Sequence, residues 1–215
     1  GDVSTTQSGD TSVTINGFTY DHGMVKTTGE FVSGSEGVLS SEYLLEIRLY
    51  YNRNSYPYEV RYLEETTNNV LHEPKTGSAK YNARVTETAE NIPGYIPKTK
   101  QDSCIIAVQP EGENVAKVNV ITFYYTEQEV TINYVAVGPK GCGSVTPTSE
   151  TVKVVTGEAQ GSTAAANDGF RFVGWYDNAN CTGTALSTEL KYVPTKEEGT
   201  LWPESSTYYA KFEYD

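Results

Sequence analysis

The chain has 215 residues, a formal net charge of -12 and 37% hydrophobic residues. That length suits one large domain or two to three small ones, and an acidic balance with no offsetting basic patch argues against nucleic acid or an anionic membrane as partner, because like charges would have to meet. Seventeen tyrosines outnumber six Phe and two Trp, Met occurs once, and Val, Ile and Thr are plentiful, which predicts half-wet pleated strands in place of helix bundles.

The polar opening Ser4-Thr5-Thr6-Gln7-Ser8-Gly9-Asp10 is expected to be partly disordered. Strand-like alternation first shows in Ile47 to Asn52 and again in Tyr58 to Leu63. A turn at Thr67-Asn68-Asn69 precedes a short strand at Val70-Leu71-His72 and a connection containing Gly77. Val85 to Asn91 reads as a short helix, with Thr86 as its cap, Glu87 and Glu90 at its positive end, and Pro93-Gly94 as its stop. Strands follow at Ser103 to Val108, where Cys104 is expected to be a buried small hydrophobe, and at Val118 to Tyr125. Beyond them come Val130 to Val137, a turn over Gly138 to Gly143, and a strand at Glu150 to Val155. Thr163 to Asn167 suits either helix or strand. Phe170 to Tyr176 is a strand whose Trp175 turns away from Phe170 and Phe172 unless Gly174 marks a bulge.

Aligning the tyrosine-rich strands exposes a repeat: Ile47-Arg-Leu-Tyr-Tyr-Asn52, Ile121-Thr-Phe-Tyr-Tyr-Thr126 and Ser206-Thr-Tyr-Tyr-Ala-Lys-Phe212. A Gly-aromatic pair precedes each of them, at Gly17-Phe18, Gly94-Tyr95 and Gly169-Phe170, spaced 77 and 75 residues apart. The glycine there would let the chain turn at positive φ before the aromatic enters a core. Boundaries therefore fall near Asn54 and Gln128. The expected organisation is a partial module at 1–54, whose front part lies outside these residues, and complete modules at 55–127 and 128–215. A mixed sheet crossed by a single helix in the 55–127 module is a β-grasp-like layout, and the chain is expected to be a β-rich α+β protein, an elongated array of tandem small β-grasp-like modules.

Markers of catalysis are scarce. His22 and His72 sit in no metal-ligand spacing and read as surface residues, and there is no nucleophile elbow, phosphate-cradling loop or dinucleotide fingerprint. Glu64-Glu65 and Glu197-Glu198 are sequence neighbours that project differently, which suits solvated edges better than a glycosidase pair. No catalytic residue, no cofactor and no enzyme activity are therefore expected. The loop Asp177-Asn178-Ala179-Asn180 offers oxygen donors and makes Asp177, Asn178 and Asn180 weak Ca²⁺ candidates, though it reads first as a turn. Trp202, in a polar stretch beside Pro203, is the weak candidate for a sugar-stacking surface, whereas Trp175 is expected in a core. Of the three cysteines, Cys142 and Cys181 fall in one module and form the candidate disulfide, with free thiols as the default.

Two family resemblances arise from these segments. Tyr58-Glu-Val-Arg-Tyr-Leu63, Ile92-Pro-Gly-Tyr95 and Phe123-Tyr-Tyr125 resemble the mucin-binding-protein (MucBP-like) repeat of Gram-positive surface adhesins. Gly169-Phe-Arg-Phe-Val-Gly-Trp-Tyr-Asp177, Cys181-Thr-Gly183 and Tyr208-Tyr-Ala-Lys-Phe212 resemble the internalin B-type repeat. The resemblances imply β-grasp-like folds and an extracellular place on the bacterial cell surface, with cell-wall attachment through regions outside these residues. They also imply adhesive or spacer work on a host or neighbouring-cell ligand, either a mucin-type glycan or a protein. A monomer is expected, without membrane contact by this segment. The alternative is a carbohydrate-binding module of a surface glycan-degrading enzyme.

Overall fold

The computed structural model describes residues 14–26, 30–34, 45–110 and 118–215. The expectation for Ser4 to Asp10 lies outside them. The described residues form strands and no helix, arranged in several small sheets. By contacts the chain divides into two compact units, Gly1–Leu63 with Asn69–Glu90 and Thr99–Tyr124, and Glu64–Asn68 with Asn91–Lys98 and Tyr125–Asp215.

The first unit contains a three-stranded sheet in the order β2-β1-β3, built from β1 (Phe18–Lys26), β2 (Val32–Ser33) and β3 (Glu46–Arg53). Its second sheet places β4 (Ser55–Glu64) between β5 (Val70–Lys80) and β9 (Val120–Glu127). The Glu59 N–H donates to the Asn119 carbonyl at 2.9 Å and the Glu65 N–H to the Tyr125 carbonyl at 3.0 Å, so β4 and β9 run parallel. Alternation explains the core: Val60 and Tyr62 on β4 meet Ile121 and Phe123 on β9, all buried, with the Tyr62 and Phe123 rings stacked 6.1 Å apart.

β5 is far longer than the three residues expected from sequence and runs straight through Gly77. The reason is Tyr58, which pairs with Gly77 across the ladder and lays its ring where a side chain at 77 would stand.

The expected helix at Val85 to Asn91 is absent. Those residues begin in β6 (Arg84–Thr88), which pairs with β8 (Gln101–Ile105). Burial alternates along β6, with Val85 and Glu87 half-buried and Thr86 and Thr88 exposed. Glu87 therefore turns inward, accepting the Tyr58 hydroxyl at 2.9 Å and pairing with Lys75 at 2.6 Å, which a solvated first helical turn would not offer. The β-branched run Val85-Thr86 also favours the strand. Cys104 on β8 is half-buried, and burial raises its thiol pKa.

Asn119, 1% exposed, ties these layers together: its amide donates to the carbonyls of Pro57 (3.1 Å) and Ala107 (3.0 Å) and accepts the Ala107 N–H (2.8 Å). Asn119→Ala leaves the Pro57 carbonyl and the Ala107 N–H and carbonyl without this buried partner and should cost about 2 kcal/mol, read as a lower urea midpoint.

The second unit holds β7 (Tyr95–Pro97), paired with the last residues of β9, and two further sheets. One has the order β12-β10-β16-β14, from β10 (Glu129–Val137), β12 (Ser149–Lys153), β14 (Phe170–Tyr176) and β16 (Ser205–Tyr214), with β10 and β16 parallel. The other, β11-β13-β15, comprises β11 (Gly143–Thr146), β13 (Ser162–Ala166) and β15 (Lys191–Tyr192). Thr163 to Ala166 are thus extended. A register shift between Phe172 and Gly174 rotates Trp175 onto the same side as Phe172, and Trp175 is fully buried. Its ring stacks on Tyr192 at 5.9 Å, meets Tyr134 edge-on at 5.9 Å, and its indole N–H donates to the Leu190 carbonyl at 3.1 Å.

Candidate functional site

The three Gly-aromatic pairs form one recurring device. Gly17, Gly94 and Gly169 have φ of +86°, +84° and +82°, and each is the third residue of a turn closed by Phe18 N–H to Ile15 C=O, Tyr95 N–H to Ile92 C=O and Phe170 N–H to Asn167 C=O. Each following aromatic pairs with the last residue or so of a closing strand: Phe18 with Arg53, Tyr95 with Glu127, Phe170 with Tyr214. The next residue then donates its N–H back to the glycine carbonyl, Asn54 to Gly17 at 2.9 Å, Gln128 to Gly94 at 2.8 Å and Asp215 to Gly169 at 3.1 Å.

At the first two places the same peptide is also an acceptor. The Asn54 carbonyl takes the Tyr81 N–H and the Gln128 carbonyl takes the Val154 N–H, each at 2.8 Å. Tyr81 and Val154 are the residues just past β5 and β12, each the strand that pairs with the first strand of the succeeding block. One linking residue thus clasps the glycine turn behind it and the hairpin ahead of it. At Gln128 the clasp is reinforced by buried Glu127, whose carboxylate accepts the N–H groups of Val155 and Thr156 at 2.7 Å and the Thr156 hydroxyl at 2.8 Å. Glu64 closes its own hairpin in the same manner, through the Thr66 and Thr67 N–H groups and the Thr67 hydroxyl.

Beside the second clasp, Val155 to Ala159, Val193, Lys196 and Trp202 line a cleft of about 590 Å³. Trp202, the weak candidate for a sugar-stacking surface, is 5% exposed. Its indole N–H donates to the Gly157 carbonyl at 2.8 Å and its backbone N–H to the Val154 carbonyl at 3.0 Å, so the ring secures the hairpin that the clasp holds. The polar sequence around it concealed this, because the side chain reaches its partner across 45 residues.

The candidate disulfide is not formed. Cys142 and Cys181 are buried free thiols. Cys142 joins the core cluster of Val145, Trp175 and Phe212, whereas Cys181 sits at φ +49° in the loop after Asp177, its thiol pKa raised by burial. In that loop the Asn178 side-chain oxygen accepts the Thr182 N–H and hydroxyl and its amide donates to Asp177 and the Thr182 carbonyl, so Asn178 closes the turn; Asp177 and Asn180 flank it. Among the described residues no three His, Cys, Asp or Glu side chains converge on a metal-sized space. His22 is exposed and stacks on Tyr50 at 4.6 Å, and His72 meets the Tyr62 ring edge-on at 5.3 Å.

Three carboxylates carry lowered pKa values. For Glu87 the chief cause is Lys75, and for Glu64 the Thr67 hydroxyl and N–H. Glu150 is half-buried, and burial alone would raise it, but the Gln160 N–H, the Tyr134 hydroxyl at 2.5 Å and the Gly161 N–H together outweigh that. Burial and then Glu150 push the Tyr134 phenol above its ordinary range. Carboxylates held below the unfolded value of about 4.3 stabilise the fold above that pH and lose the contribution as acid protonates the folded form. The urea midpoint should therefore hold steady down to about pH 5 and fall below it, and Glu150→Gln should flatten part of that decline.

No family model matches the chain, and none of the curated proteins matches it.

Proposed function

We propose that the chain is a non-catalytic extracellular segment of a bacterial cell-surface adhesin, made of tandem modules at 55–127 and 128–215 preceded by a partial one at 1–54, and that these modules bind and space. The observation that carries the reading is the recurrence of the glycine clasp at Gly17, Gly94 and Gly169, each closing a block and, at the first two, handing the chain to the next through a single peptide. A one-residue link suits display of repeated modules and leaves no room for a flexible tether.

Strand order supports β-grasp-like modules. In both β5-β4-β9-β7 and β12-β10-β16-β14 the first and last strands of a block lie side by side and parallel at the centre, an antiparallel strand (β5 or β12) flanks the first, and another strand of the block flanks the last. The small sheet β6-β8 takes up residues where a helix was expected, and β11-β13-β15 those that suited either helix or strand. The MucBP-like and internalin B-type resemblances of the two blocks add the bacterial surface and the adhesive role. The partner is a host or neighbouring-cell ligand, a mucin-type glycan or a protein, and affinity comes from many weak contacts along repeated modules.

Beads carrying many copies of the chain should be retained on mucin-coated or host-cell surfaces far better than the free chain binds them. Retention no greater than that of beads bearing an unrelated protein of equal negative charge, or turnover of a glycan or peptide substrate, would overturn the reading. The cleft beside Trp202 favours the alternative of a carbohydrate-binding module: on a glycan array, selective binding abolished by Lys196→Ala at the cleft wall would support it, whereas Trp202→Ala would report mainly on the hairpin that Trp202 holds.

A further inference from the structure

The three glycine turns share one conformation but not one environment. A Cβ placed on Gly17 would meet the Tyr81 ring at 2.6 Å, and one placed on Gly94 would meet Val155 at 2.5 Å and Leu201 at 3.3 Å; at Gly169 nothing lies within 4 Å. In the first two cases the nearest occupant comes from residues just past the strand that pairs with the succeeding block's first strand, β5 or β12, delivered there by the linking peptide that accepts the Tyr81 or Val154 N–H. At the third, Asp215 already donates its N–H to Gly169, which is the first half of the same clasp.

The aromatic beside the seat repeats the contrast. Phe18, next to the occupied Gly17, is covered edge-on by Tyr81 at 5.6 Å. Phe170, next to the open Gly169, stacks sideways on its strand partner Tyr214 at 5.0 Å, and Tyr214 is 70% exposed. With the succeeding block removed, the Gly17 seat would be open in the same way, with Phe18 uncovered beside it.

We propose that the face formed by Gly169, Phe170, Tyr214 and Asp215 is the docking seat for a further module of the same kind that continues the chain from Asp215. The first residues past the strand that pairs with that module's first strand lie on Gly169, an apolar side chain covers Phe170, and the backbone N–H there donates to the Asp215 carbonyl. This rests on the tandem-module reading and not on any ligand.

The test ligates a second, isotopically labelled copy of residues 129–215 directly after Asp215 of the full chain, so that Asp215 stands where Gln128 does, and follows amide exchange by mass spectrometry in the unlabelled peptides 167–176 and 205–215. Extension should slow exchange there by about tenfold or more. Gly169→Val in the extended chain should remove the slowing, with the same substitution in the unextended chain giving its intrinsic cost. Val155→Asp confined to the added copy should remove it too, leaving Gly169 untouched. Equal exchange with and without the extension, or slowing that survives both substitutions, would overturn the proposal. So would self-association of the unextended chain through this face, seen by sedimentation, since the seat would then serve a separate copy. Failure of the tandem-module reading itself would show differently, as an added copy whose own β10 and β16 peptides lack the protection they have in the parent.

Discussion

Trp175→Ala should cost the second unit about 3–5 kcal/mol, the largest loss expected from a single side chain in this protein. The residue is fully buried between the rings of Tyr134, Phe172 and Tyr192, which cannot collapse into the space an indole leaves. The substitution also strands the Leu190 carbonyl that accepts the indole N–H. Trp202 is the second of the two tryptophans, so its fluorescence would follow guanidinium unfolding of the variant without a competing signal. A midpoint close to that of the parent chain would mean that the bulge at Gly174 does not commit Trp175 to this core.

Gly94→Ala and Gly169→Ala should separate two costs that are usually mixed. Both positions sit at nearly the same positive φ, +84° and +82°, so both carry the left-handed strain of about 1–2 kcal/mol. Only at Gly94 does the new methyl run into Val155 and Leu201, which adds an overpacking penalty of about 1–3 kcal/mol. Urea denaturation should thus place Gly94→Ala about 2–5 kcal/mol below the parent and Gly169→Ala only about 1–2 kcal/mol below. Equal losses at the two sites would mean that the Gly94 neighbours yield freely, and the clasp would then be a looser joint than its hydrogen bonds suggest.

Much of the strand pattern was readable because it depends on local alternation. Phe170 to Tyr176 lies where the sequence places it, and the Gly-aromatic spacing pointed to three turns of positive φ whose glycines have that conformation. The helix expected at Val85 to Asn91 failed for a reason that local signals cannot carry: Glu87 has partners in Tyr58 and Lys75, far away in sequence, and tertiary pairing overrode the capping pattern. Gly77 misled in the same way, since a glycine inside a strand looks like a break until a cross-strand ring is known to cover it. The site residues were harder still. Asn119, Glu127 and Glu150 act by collecting backbone N–H and C=O groups from distant segments, and no spacing rule marks a carboxylate or amide for that work. The nearest usable sign is a glutamate followed two or three residues on by threonines, as in Glu64-Glu65-Thr66-Thr67, which suits a side chain closing its own turn.

The parallel pairing of β10 with β16 has a mechanical consequence. A pull along the chain draws these neighbours in opposite directions, so their seven paired positions from Thr131↔Ser205 to Val137↔Lys211 are loaded together in shear and cannot be peeled open one at a time. Under tension such a strand pair behaves as a clamp, holding until many hydrogen bonds give way at once.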